Sequence, residues 1–304
     1  MQATVVGTVS FSGRGVHGGQ PAVATVKPAA PGSGVVFIRT DITDRDNRID
    51  ARFDRVVDTR LCTLLSNEAG ATVSTVEHLM AALAGVGIYN AVVEIDGPEV
   101  PIMDGSSKPF VAGLLKAGVA LQRAPQAAIR VLREVVVEKD GKRAALAPSN
   151  RFEMTFKIDF ADEAIGRQQR DMTLVNGAFI EELSGARTFG RLADVEALRK
   201  MGLGRGGSLE NAIVVDGSKI LNKDGLRYDD EFVRHKMLDA VGDLALAGAP
   251  IIGRYEGVCA GHEMTNLLLR AMFEAQTEAG DVFEMVDYDR ARPCALGLCM
   301  EAAA

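Results

Sequence analysis

The sequence predicts an α+β protein made of two domains of similar topology. Two observations carry that prediction. Short apolar strands are followed by a helix, a strand and a second helix, and this order recurs in the second half of the chain. Superposing the halves lays VEHLMAALAG over VRHKMLDAVG, so that His78 falls on His235 about half a chain later. Few letters match between the halves and chance similarity is the alternative, so the shared order of elements is the stronger sign.

In the first half, ATVVGTVSF, AVATVKP and GVVFIRT alternate or run apolar and are broken by Gly and Pro, the marks of short strands. STVEHLMAALAGVG predicts a helix opened by Ser74 and closed near Gly85 or Gly87. NAVVEIDG reads as a strand ended by the Asp96-Gly97-Pro98 turn. SSKPFVAGLLKAG has a Ser cap, Pro109 near the first helical position and Gly118 as a stop. In the second half, AIRVLREVVVEKD, KRAALAP and FEMTFKIDF are strands. They lead to a helix in EFVRHKMLDAVGDLALAG, a strand in APIIGRYEG and a helix from GHEMTNLLLRAM onward. The proline-bearing RAPQ links the domains near residues 122–128, which assigns 1–124 to the first and 125–304 to the second. The GLGRGGS run marks an insertion at about 192–216 of the second domain. Two related domains leave a cleft between them, a common place for a site.

Composition narrows the functions. A chain of 304 residues, 47% hydrophobic and 25% charged, has the make-up of a soluble globular protein with room for two cores. With 34 basic against 41 acidic residues the net charge is -7, which excludes the positive field that draws in nucleic acid. No apolar run approaches the roughly 18 residues needed to span a bilayer. The N-terminus lacks the basic and apolar regions of a signal peptide, so a cytoplasmic location is expected. Cys62, Cys259, Cys294 and Cys299 form no C-x-x-C pair and read as reduced, mostly buried thiols, with a thiolate metal site as the alternative.

The chemistry concentrates on four histidines: His17, His78, His235 and His262. His235 and Asp239 lie four apart in a helical segment and project from one face, where an imidazole and a carboxylate can share a divalent metal. A plain surface His–Asp pair is the alternative. Asp243 continues the stripe by another turn, and His78 supplies a third ligand if the repeat is real. Glu77 falls in Ser74-Thr75-Val76-Glu77, a capping-box pattern, yet a carboxylate beside a metal-binding histidine is also where a base acting on water would sit. His262 opens another helix. It is either a capping or buried histidine, or a general acid whose charged form is favoured by Asp243.

At these residues the sequence resembles a known family. STVEHLMAALAGVGIYNAVVEIDGPEVPIMDGSSKPFV, RTFG, GGSLENAIVVD, FVRHKMLDAVGDLALAG and GHEMTN, in that order, are similar to the UDP-3-O-acyl-N-acetylglucosamine deacetylases of Gram-negative lipid A biosynthesis. The likeness runs from about residue 5 to residue 269. It implies two β/α sandwich domains, each with a small insertion, and hydrolysis of the 2-acetamido group of a UDP-linked 3-O-acylglucosamine. It implies one catalytic zinc on His78, His235 and Asp239, with iron(II) as the other candidate ion. Glu77 is then the general base and His262 the general acid, supported by Asp243 and flanked by Lys236. Thr188 is a hydroxyl for the oxyanion, and Phe189 and Phe160 are substrate contacts. Leu192, Val195, Ala212 and Val214 fall on positions lining a passage for the acyl chain, and Gly204 stands where other members carry a bulkier side chain. The resemblance also implies a transient approach to the membrane surface and a C-terminal tail that serves as a handle for a regulatory protease. The tail after Asp281 is expected to be loosely ordered.

SFSGRGVHGGQP contains a literal G-x-G-x-x-G at Gly13, Gly15 and Gly18. A dinucleotide loop must leave a strand and enter a helix, with an acid about 20 residues on. Here Gln20-Pro21 and an alternating strand follow, so the stretch is a hairpin turn and the oxidoreductase reading falls. The resemblance places its His17 at the rim of the zinc cleft, as a substrate contact and not a ligand.

Overall fold

The computed structural model describes residues 1–175, 177–288 and 299–300. A five-stranded sheet organises the first half in the order Val9–Arg14, Pro21–Pro28, Ala91–Ile95, Val35–Arg39, Arg48–Asp50. Ala91–Ile95 is its centre, with Pro21–Pro28 antiparallel on one edge and Val35–Arg39 parallel on the other. In Pro21–Pro28 the alternate residues Ala22, Ala24 and Val26 are buried, so the strand's two-residue period turns one face to the core. In the second half, Ile251–Val258 is flanked in the same way, by Lys142–Ala147 antiparallel and Phe152–Asp159 parallel. Each of these has an antiparallel outer partner, Val135–Lys139 and Arg167–Thr173. The protein is thus a mixed α and β fold, as its sequence predicts.

Two departures concern the ends of segments. The stretch after Asp281, expected to be loosely ordered, contributes the strand Phe283–Asp287, which pairs antiparallel with Ala127–Val131. Val282 is fully buried and Phe283 packs edge-on against Phe273 with centroids 5.2 Å apart, which holds the segment down. The remainder, 289–298 and 301–304, is outside the described residues, and with it the expected protease handle. The stretch read from sequence as an insertion at about 192–216 lies within a small sheet unit that spans 189–220. Phe189–Arg191 pairs parallel with Ile213–Asp216, which requires a crossover between them, and Lys219–Ile220 closes the unit. A second small sheet, Val56–Asp58, Leu64–Ser66 and Thr72–Val73, lies in the first half.

Five α-helices among the described residues complete the fold: α1 (Glu77–Val86), α2 (Lys108–Ala117), α3 (Leu192–Lys200), α4 (Glu231–Ala245) and α5 (His262–Ala279). Every residue of α1 except Ala84 is buried, as expected of a helix that is apolar around its circumference. It stops at Gly87, whose φ of 90° lets its N–H reach back to Leu83. α1 packs against α4, and the crossing is close because Gly242 has no side chain: a Cβ there would lie 2.1 Å from the carbonyl oxygen of Glu77. Leu79 and Leu83 of α1 join Phe232, Leu238 and Leu244 of α4 in one continuous core, each side chain worth roughly 1.5–3 kcal/mol of burial.

Candidate metal centre

The α1–α4 crossing brings His78, His235 and Asp239 together, none more than 4% exposed. Asp239 Oδ1 lies 3.5 Å from His78 Nε2 and 3.3 Å from His235 Nε2, and the two rings stand at 85° with centroids 5.1 Å apart. His235 Nδ1 donates to the Ala186 carbonyl at 3.1 Å, which leaves the lone pair on Nε2. Burial pushes this imidazole down to about 3, so it is neutral at ordinary pH. Burial would raise Asp239, but His235 and Lys236 outweigh it and hold the carboxyl well below its usual range. Lys236 Nζ donates to Asp239 Oδ2 at 2.7 Å.

The other oxygen, Asp239 Oδ1, is buried without a hydrogen-bond partner. It confronts the lone pair of His235 Nε2, an arrangement that a cation would convert from repulsion to coordination. Among the described residues this is the one His, Cys, Asp and Glu group whose ligand atoms converge for a metal, all within 4.8 Å of one another. Two imidazoles and a carboxylate suit zinc or a similar divalent ion and leave room for a further ligand. The thiolate alternative has no such group among the described residues: Cys62 and Cys259 are free, and burial, with Glu77 close by, pushes the Cys62 thiol up to about 12, while Cys294 and the side chain of Cys299 lie outside what the structure describes.

Glu77 does not serve as a cap. Thr75 adopts φ 57°, the helix begins at Glu77, and the Ser74 hydroxyl donates instead to the Pro98 carbonyl at 3.2 Å. The Glu77 carboxylate faces the site. Its Oε2 accepts the Thr63 backbone N–H at 3.1 Å and its Oε1 lies 3.9 Å from His262 Nε2. Burial raises Glu77 above the usual carboxylate range. His262 bonds Asp243 Oδ2 through Nδ1 at 2.8 Å. Burial alone would lower His262, but Asp243 and Glu77 outweigh it and push the imidazole up to about 9.

A cavity of about 410 Å³ opens over this group. His17, Glu77, His78, Thr188, Phe189, His235, Lys236, Asp239 and His262 all border it, and Leu192, Val195, Ala212 and Val214 extend it along the unit of residues 189–220. Phe160 is not on its wall: its ring packs edge-on against Phe189 at 5.6 Å, and Phe189 in turn lies 5.6 Å below Lys236 Nζ. Asp243 stands behind His262.

Two residues that sequence reasoning missed organise the site. Glu99 accepts the backbone N–H groups of His17 and Gly18, both at 2.8 Å, and fixes the glycine turn that carries His17. A Cβ on Gly15 would sit 2.2 Å from that carboxylate, so close approach is what this glycine supplies. Thr63 touches both Glu77 and Asp243. Nothing local marks either residue: Glu99 follows the Asp96-Gly97-Pro98 turn, where an acid is ordinary, and Thr63 carries no motif.

A cation pocket beside a carboxylate and a carboxylate-backed imidazole is the equipment of a metal-dependent hydrolase. The UDP-3-O-acyl N-acetylglycosamine deacetylase family matches residues 2–274, and the chain belongs to it. It is 52% identical over 291 residues to the UDP-3-O-acyl-N-acetylglucosamine deacetylase of Phenylobacterium zucineum (strain HLK1), across 94% of this chain and 99% of that protein. Proteins of the same name from Chromohalobacter salexigens and Shewanella sp. (strain W3-18-1) are 47% and 45% identical, each across 95% of this chain and 94% of the relative.

Proposed function

We propose that this chain hydrolyses the N-acetyl group of UDP-3-O-(3-hydroxyacyl)-N-acetylglucosamine to the free amine and acetate, an early step of lipid A biosynthesis. The observation that carries the reading is the convergence, in one cavity, of the unpartnered Asp239 Oδ1 and two histidines with Glu77 and His262. Membership of the family supports the substrate. His78, His235 and Asp239 hold the ion, zinc in this proposal with iron(II) as the alternative. A divalent ion held by these three residues would supply Lewis acidity toward water and toward the amide carbonyl.

Glu77 accepts the proton of the attacking water, its Oε1 being the oxygen left open to the cavity. Thr188 and Lys236 border the space in which the oxyanion develops, and one well-placed donor is worth roughly 3–4 kcal/mol to such a transition state. His262, kept charged by Asp243, gives its proton to the departing nitrogen. His17, Phe189 and, through its packing on Phe189, Phe160 shape the sugar-nucleotide end, while the second insertion receives the acyl chain. The proposal divides the chain at 124/125 into two domains related by a pseudo-twofold repeat, which the shared strand order supports. No helix among the described residues is long and apolar enough to cross a membrane. The proposed setting is the cytoplasm, with transient approach to a membrane surface and turnover by a regulatory protease; the free thiols Cys62 and Cys259 suit a reducing compartment.

Metal analysis paired with an acetate-release assay tests this. The purified protein should hold one divalent ion per chain, and His78→Ala or Asp239→Ala should lose both metal and turnover. Glu77→Ala should lose orders of magnitude in kcat while keeping its metal. Near-parent turnover in Glu77→Ala, or full turnover without metal, overturns the mechanism.

A further inference from the structure

Two carboxylates in this site each have one oxygen committed to chemistry and one that must be satisfied elsewhere. Glu77 presents Oε1 toward His262 and the cavity, and Asp243 Oδ2 accepts the His262 Nδ1–H. Both remaining oxygens are taken by a single residue. The Thr63 backbone N–H donates to Glu77 Oε2 at 3.1 Å and its hydroxyl donates to Asp243 Oδ1 at 2.6 Å. Thr63 is 2% exposed and precedes the strand Leu64–Ser66 of the first half, whereas Asp243 lies on α4 of the second.

We propose that Thr63 is a positioning residue that sets the base and the acid in register with each other. This rests on the assignment of Glu77 and His262 above and extends it to how they are aimed. A carboxylate held by one hydrogen bond swivels about its Cγ or Cδ bond. A second bond on the other oxygen fixes the plane, and a charge-assisted one is among the stronger kinds available. The ring Glu77, Thr63, Asp243 and His262 closes on itself, so that a shift of the acid's supporting carboxylate is transmitted to the residue that aims the base. The hydroxyl is the working part. Valine has nearly the same shape but leaves Asp243 Oδ1 buried and short of a donor. Serine keeps the donor and loses only the methyl.

The test uses full-length, metal-loaded Thr63→Val and Thr63→Ser with the UDP-3-O-acyl-N-acetylglucosamine substrate. Outer hydrogen-bond partners of metal-site residues typically cost about 10- to 100-fold when lost, and the same order is expected of a residue that orients the base and the acid. Thr63→Val should therefore lose roughly that factor in kcat, with KM and metal content close to the parent's, and Thr63→Ser should recover most of it. The 1H NMR signal of the His262 Nδ1 proton supplies a readout that needs no turnover: it should move in Thr63→Val and return in Thr63→Ser. An unchanged kcat and an unmoved proton in Thr63→Val overturn the proposal. Equal losses in both variants, with the proton at its parent position in Thr63→Ser, assign Thr63 a packing role and overturn it too. Were Glu77→Ala to retain turnover, the assignment of the base would fail, while the proton shift would still report whether Thr63 positions Asp243 and His262.

Discussion

His262 lies between two carboxylates, and its charge decides how the enzyme answers to pH. Activity in the proposed mechanism needs Glu77 ionised and His262 protonated. The rate should therefore rise as pH climbs through the pKa of Glu77, which burial holds above the ordinary value of about 4.3, and fall as pH passes the pKa of His262, up to about 9. A cation bound nearby repels protons from both groups, so the bell of the loaded enzyme lies on the acid side of these values. Asp243→Asn removes the charge that raises His262, and its alkaline limb should move to lower pH; a limb that stays put would detach Asp243 from this role. The same raised pKa has a stability consequence. His262 contributes stability that is complete below its unfolded value of about 6.5 and is lost as pH rises through about 9, which a melting series in metal-free protein would register. The convergence of His78, His235 and Asp239 was legible because the His235–Asp239 spacing is local to a helix and laying one half of the chain over the other set His78 on His235. Thr63 and Glu99 were not, since they act from 180 and 82 residues away in sequence and carry no period or motif.

At the scale of elements, the α1–α4 crossing is what makes a site of residues from opposite halves. Gly242 sets its depth, with the Glu77 carbonyl oxygen only 2.1 Å from where a Cβ would be. Gly242→Ala must push the helices apart at the residue that carries the base. It should cost about 1–3 kcal/mol of stability, the usual range for overpacking, and also lower kcat by moving Glu77 and His78 away from His235. Thermal melts and kinetics on one preparation check this; a variant destabilised but fully active would show that the site tolerates the shift. The predicted helices were found because their apolar period and glycine stops are strong local signals. The start of α1 was misplaced because a capping pattern at Ser74 was outvoted by the positive φ of Thr75 and the pull of the Pro98 carbonyl. The strand Arg167–Thr173 is not marked in the sequence because RQQRDMT is polar but for Met172. It is an outer strand, paired on one side only, so no apolar alternation is demanded of it.

Across the whole molecule, the glycine turn that imitates a dinucleotide loop joins the two halves over the cavity. The N–H groups of Arg205 and Gly206 donate to the carbonyls of His17 and Val16 at 3.2 and 3.0 Å, and a Cβ on Gly206 would lie 2.1 Å from Gly15 O. Two glycine runs far apart in sequence thus meet backbone to backbone, and the unit of residues 189–220 is seated where its apolar wall continues the cavity over His78, His235 and Asp239. In the proposed function this wall receives the acyl chain, which predicts a length dependence. Each methylene buried against Leu192, Val195, Ala212 and Val214 contributes about 0.8 kcal/mol. Shortening the acyl group by two carbons should therefore lower kcat/KM by roughly tenfold, at about 1.4 kcal/mol per decade. Ala212→Phe fills the passage and should flatten this dependence, cutting kcat/KM for the long substrate while sparing a short-chain analogue and leaving the metal content unchanged. The same chain-length slope in parent and variant would place the acyl chain elsewhere; a loss that is uniform across lengths would instead mark Ala212 as part of the reacting end.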